Sequence, residues 1–74
     1  MNDTETYVCI DYTNHRGERS VRWIRPLTLE FESNEYHHDK QWIIYADDLV
    51  KGRTRGFALK DIHSWTHITT QEER

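Results

Sequence analysis

Hydrophobic and polar residues alternate along most of this chain with a period of two, the pattern of strands that bury one face. Residues 7–12 place Val8, Ile10 and Tyr12 on one side of an extended backbone and predict a first strand. Residues 13–18 read as a turn, because Asn14 favours turn initiation and Gly17 can take a positive φ. A longer second strand is predicted over residues 19–31. Pro26 interrupts it and marks a bulge or bend, since proline has no N–H to give to a ladder. Beyond it Leu27, Leu29 and Phe31 alternate cleanly with Thr28, Glu30 and Glu32; before it the faces are ambiguous, with Val21 and Trp23 opposing Ile24.

Residues 33–40 read as a polar loop, and residues 42–46, the least polar stretch, as the central strand. Residues 47–52 form a predicted turn and residues 53–59 a fourth strand, in which Gly56 marks a point of close packing. Residues 60–62 suit a single 3₁₀ turn, and residues 64–69 alternate again as a short closing strand. No stretch makes a convincing amphipathic helix. The expectation is an all-β fold of five short strands, bent into a small barrel because closure removes exposed edges. Residues 7–69 would form it, with residues 1–6 and 70–74 as disordered tails.

Size sharpens this picture. A chain of 74 residues is one small domain that buries only about 60% of its unfolded surface. Apolar residues make up 35% of it and charged residues 31%, so the core is thin. Three Trp, four Tyr and two Phe compensate in part, because each ring buries a large area. A homo-oligomer is expected. Cys9 is the sole cysteine, which excludes an intrachain disulfide and fits a reducing, cytoplasmic setting. The start of the chain has no apolar signal core, and no apolar run approaches the ~20 residues of a bilayer span. A soluble, intracellular protein without membrane contact is the expectation.

A formal net charge of −3 disfavours duplex nucleic acid as a partner, yet the charges are segregated. Arg16, Arg19, Arg22 and Arg25 face only Glu18 within residues 15–25, whereas Glu30, Glu32, Glu35 and Asp39 have no base among them in residues 30–39. Arg53 and Arg55 follow the Lys51-Gly52 turn and, two apart on a strand, share a face. Guanidinium groups hold phosphate or carboxylate with paired hydrogen bonds and stack on flat bases. Arg53 and Arg55, with Arg22, Arg25 and Arg16 nearby, are therefore candidate anion-binding residues, and Trp23 or Tyr45 a stacking wall. The alternative is that these arginines pair across the sheet with Glu30, Glu32, Asp47 and Asp48. The sequence leaves both open.

Catalysis finds little support. A strand position makes Cys9 a buried, inert thiol, and Ser20, Ser33 and Ser64 lack a nucleophile-elbow context. Adjacent Asp47 and Asp48 point to opposite sides of a strand end and suit a turn. His37, His38 and Asp39 diverge on an extended chain, and His63 and His67, four apart, converge only on a helix. The expectation is a non-enzymatic protein with no metal and no cofactor.

Four motifs in order carry a resemblance. They are Asn14-His15-Arg16-Gly17-Glu18 after a Tyr-ended strand, Arg22-Trp23-Ile24-Arg25-Pro26-Leu27, Trp42-Ile43-Ile44, and Arg53-Thr54-Arg55-Gly56-Phe57-Ala58-Leu59-Lys60-Asp61-Ile62. Over residues 7–62 the chain resembles the WYL domain. The resemblance implies a small Sm-like or SH3-like barrel whose basic pocket binds a ligand such as single-stranded DNA or a nucleotide. Family members usually follow a helix-turn-helix domain, for which 74 residues leave no room; the chain looks like a stand-alone barrel of phage or bacterial type. Ile43 stands where the family has its naming tyrosine, and Ala58 and Asp61 where it has arginines. The expected function is a binding module for a nucleotide-like or other phosphorylated small ligand, acting by sequestration or sensing. A phage anti-defence sponge for a nucleotide signal is one form this could take. The alternatives are a module that blocks or modulates a protein partner and, third, a single-stranded nucleic-acid binder.

Overall fold

A computed structural model describes residues 6–69; the tails expected at residues 1–5 and 70–74 lie outside the described residues. The chain is all-β. Its strands are β1 (Thr6–Thr13), β2 (Arg19–Asn34), β3 (His37–Asp48), β4 (Arg53–Ala58) and β5 (Ile62–Thr69), with one 3₁₀ turn at Leu59–Asp61. Thr6, assigned to a tail from the sequence, begins β1 and pairs with Thr69. All ladders are antiparallel and make one sheet in the order β4-β3-β2-β1-β5, so β4 and β5 are its edges. The central strand is β2 rather than the less polar β3. Length decides this: sixteen residues let β2 serve β1 with its first half and β3 with its second. None of the described residues lies in a helix long and apolar enough to cross a membrane.

The sheet is strongly curled. β1 and β4 are three places apart in the strand order, yet the rings of Tyr12 and Phe57 meet edge to face with centroids 4.9 Å apart. The Ala58 N–H also donates to the Tyr12 hydroxyl at 3.4 Å. Val8, Ile10, Tyr12, Ile24, Ala46 and Phe57 fill the space so enclosed, with Ile44 and Ile62 against them. Burial of Ile24, with Val21 and Trp23 exposed, resolves the two faces of the first half of β2. The bend comes where Pro26 predicts it: the β2–β3 register shifts between Pro26 and Thr28.

The expected loop at residues 33–40 does not form. β2 and β3 continue through it and turn tightly at Glu35 and Tyr36. Asn34 is the reason, because its side-chain oxygen accepts the N–H groups of Tyr36 and His37, each at 2.9 Å. Similarly, β3 runs through Asp47 and Asp48, which sequence alone places in a turn. Asp48 nonetheless organises that turn: its Oδ1 accepts the N–H groups of Val50 and Lys51, and its carbonyl accepts that of Gly52. Gly52 takes φ +71° there. Gly56 is a packing glycine, as expected. A Cβ on it would lie 2.9 Å from Cε1 of Tyr45, its cross-strand partner.

Candidate anion-binding groove

Three segments far apart in the chain line a groove of about 700 Å³. The β1–β2 turn contributes His15 and Arg16, and the β2–β3 turn contributes Asn34, Glu35, Tyr36 and His37. Tyr45 of β3 and Arg53, Thr54, Arg55 and Gly56 of β4 complete it. Four consecutive β4 residues can all reach one groove because β4 is an edge strand with an unpaired side.

The two turns are held in contact by local chemistry. Asn14 shapes the first, its side-chain oxygen accepting from the Arg16 and Glu18 N–H groups at 2.9 Å each while its amide donates to Glu18 at 3.0 Å. Gly17 supplies the positive φ of +83° that closes the turn. His15 is thereby set against Tyr36, ring centroids 4.6 Å apart and planes tilted by 32°. Tyr45 is fixed differently, since its hydroxyl donates to Glu32 and receives the Asn34 amide at 3.3 Å. The hydrogen bond to Glu32 is the main cause that pushes its phenol pKa up. Its polar tip is committed and only its ring is left to a ligand.

The five candidate arginines divide. Arg22 donates to Asp48 at 3.2 Å, with side chains 14% and 1% exposed. Arg25 donates to Asp47 at 2.7 Å. Asp47 also accepts the Thr54 hydroxyl at 2.7 Å, and these two contacts, the Thr54 bond foremost, hold its carboxyl below the usual range. Arg22 and Arg25 are thus the arginines that pair across the sheet, and neither lines the groove. Arg16, Arg53 and Arg55 do line it and form no ion pair among the described residues. Register explains the difference. Arg53 lies opposite Asp48, but Oδ1 of Asp48 is taken by the turn and Oδ2 by Arg22. Arg55 lies opposite Ala46, which offers nothing.

The groove is therefore lined by three arginines and one carboxylate, Glu35, on a chain whose net charge is −3; Glu18, outside the lining, is held below its usual range by its Asn14 hydrogen bond and then by the charge of Arg16. Such a concave basic site focuses field and favours an anion. The aromatic wall differs from expectation. Trp23 is exposed away from the groove, opposite Cys9 in the β1–β2 ladder, and the wall is built from Tyr36, His15 and Tyr45. Tyr36 and His15 carry no signal in the sequence, because only the meeting of two turns places them together.

Other candidate chemistry is dispersed. Cys9 is half-buried on the outer face of the sheet rather than in the core. His63 is hydrogen bonded to the Thr13 hydroxyl at 2.7 Å, and His37 is buried at the edge of the groove, where burial pushes its pKa down. Among the described residues, no group of three His, Cys, Asp or Glu side chains is placed to hold a metal ion. No family model, curated protein or solved structure matches the chain.

Proposed function

We propose that the protein is a non-enzymatic binding module for a nucleotide-like or other phosphorylated small ligand. The observation that carries this reading is the set of three arginines, Arg16, Arg53 and Arg55, lining an aromatic-walled groove and in no contact ion pair among the described residues. Arg53 and Arg55 present parallel forks to the anion, Arg16 closes on it from the facing turn, and the Tyr36 ring takes a flat base. A binding role is favoured over catalysis because the Thr54 hydroxyl donates to a carboxylate, Asp47, that Thr54 and Arg25 hold below its usual range, which makes it a weak base. The WYL-like motif order adds support, since that family's ligands are of this kind. Acting in the cytoplasm, such a module works by sequestering or sensing its ligand, as a phage-encoded sponge for a nucleotide signal would.

The experiment is thermal denaturation against a panel of mono-, di- and cyclic nucleotides and inorganic phosphates. A true ligand at a hundredfold excess over Kd adds about 2.7 kcal/mol of stability. That gain should vanish in the double variant Arg53→Gln/Arg55→Gln. Absence of any shift across the panel would overturn the reading, and capture of one protein partner in its place would make the chain a partner-binding module.

A further inference from the structure

The sheet's inner face continues past the core and is left uncovered. Leu29 lies opposite Ile44, and Phe31 opposite Trp42, in line with the buried Phe57 that faces Ile44 from β4. Along β2 and β3 on this side, Leu27 at the bulge, Leu29, Phe31 and Trp42 are 46%, 50%, 55% and 49% exposed. Phe31 and Trp42 pack edge to face, centroids 5.2 Å apart, so the outer part of this strip is one aromatic unit.

Strand lengths show why nothing among the described residues covers it. The β1 ladder on β2 ends at Ile24, and the β4 ladder on β3 ends at Ile43. Past Glu30 and Ile43, out to the turn at Glu35 and Tyr36, the segment that carries Phe31 and Trp42 is a two-stranded hairpin. Such a hairpin is marginal in water unless it packs on something. A sheet face of this kind is stable when a second layer buries it.

We infer that this strip is a homodimer interface, covered by the same strip of a second copy. Three features select a second copy over a different partner. First, the strip is apolar and self-complementary, as a two-fold interface requires. Second, alternation sends Glu30 and Glu32 to the opposite side of the sheet, so two copies of net charge −3 bring no carboxylates together. Lys40, two residues before Trp42, sits at the outer end, and an antiparallel two-fold arrangement keeps the two lysines apart. Third, the area fits. The four side chains leave roughly 400 Å² of apolar surface in water, within the range of the largest, often functional, patch of a small protein. Two strips together bury roughly 800 Å², the low end of the interface range, as suits a weak and reversible dimer. Packing follows sheet-on-sheet geometry, with inner faces about 10 Å apart.

Sedimentation equilibrium and light scattering on the whole chain test this. At tens of micromolar the expected mass is twice the 9.0 kDa of one chain. Phe31→Glu or Trp42→Glu should weaken the dimer at least a hundredfold with an unchanged far-UV spectrum. Val21→Glu, on the exposed outer face, should leave it intact. If the glutamate variants fail to fold, Leu29→Ser and Trp42→Ser are read the same way. A parent protein that stays at 9.0 kDa across that concentration range overturns the inference. So does a strip variant that folds and remains dimeric, or a Val21→Glu variant that dissociates as readily.

Discussion

Arg22 on β2 and Arg53 on β4 flank Asp48 from the two sides of β3, and their fates differ. Arg22 reaches the carboxylate and is nearly buried with it; Arg53 arrives at a carboxylate whose oxygens are already taken. The same contrast separates Arg25, opposite Asp47, from Arg55, opposite Ala46. An arginine's role here is set by whether a carboxylate oxygen is still free to accept from it on the neighbouring strand. Pairs that are satisfied become structure, and the remainder are left along the groove for the anion site proposed above.

The largest expected effect lies on the structural side of this contrast. Asp48→Ala strands the Arg22 guanidinium and frees the Val50 and Lys51 N–H groups, and should cost roughly 3–5 kcal/mol. Asp48→Asn keeps the turn acceptor and should cost less, so urea denaturation of both variants separates charge from turn. If Asp48→Ala denatures like the parent, the Arg22 pair is not structural. Next comes the groove. Arg53→Gln and Arg55→Gln should each change stability by less than about 0.5 kcal/mol. By calorimetry they should each weaken ligand binding by about 1.5–3 kcal/mol per charged hydrogen bond lost. Lysine at both positions should recover only part of that, because it restores charge without the planar fork. A Gln variant that unfolds more easily but binds normally would reverse the assignment.

Smaller effects sharpen the comparison. Arg25→Gln removes a partly exposed pair, and its slight destabilisation should disappear in molar salt, where the buried Arg22–Asp48 pair still counts. His37 should produce the smallest signal, and its sign is fixed. Burial lowers its pKa from the ordinary 6.5, so the unfolded chain binds the proton first. Stability from this residue is fully present above pH 6.5 and is lost as pH falls from there through the lower folded value. Asp11, Glu18 and Asp47, whose values are also lowered from 3.8, 4.5 and 3.8, act only at lower pH. Stability measured from pH 7.5 to 5.5 should therefore fall in the parent and flatten in His37→Phe.

Much of the fold was legible because alternation reports directly on strands: Val8, Ile10 and Tyr12 point inward as read, and Pro26 and Gly56 mark the bend and the close approach. Asn34 was missed because one side chain accepting two backbone N–H groups turns an apparent loop of polar residues into a tight hairpin. Trp23 was misplaced because the face of a residue before a bulge depends on register, which composition does not state. Arg16, Arg53, Arg55 and Tyr45 were legible as chemistry, but their gathering with Tyr36 and His15 was not. Proximity between turns arises from the curl of the sheet, and the curl is a property of the whole chain.

The return of β5 to β1 governs how the chain must fold. β1 through β4 form a meander whose neighbours are joined by short turns, whereas Tyr12 meets Ile62 about fifty residues away. Local hairpins can nucleate on the microsecond scale, but the last ladder closes a loop whose entropy must be spent before any contact rewards it. β5 is therefore the natural late arrival. Contacts that form after the transition state act chiefly as a brake on unfolding, so weakening the fifth strand is expected to shorten the life of the folded protein more than it slows its formation.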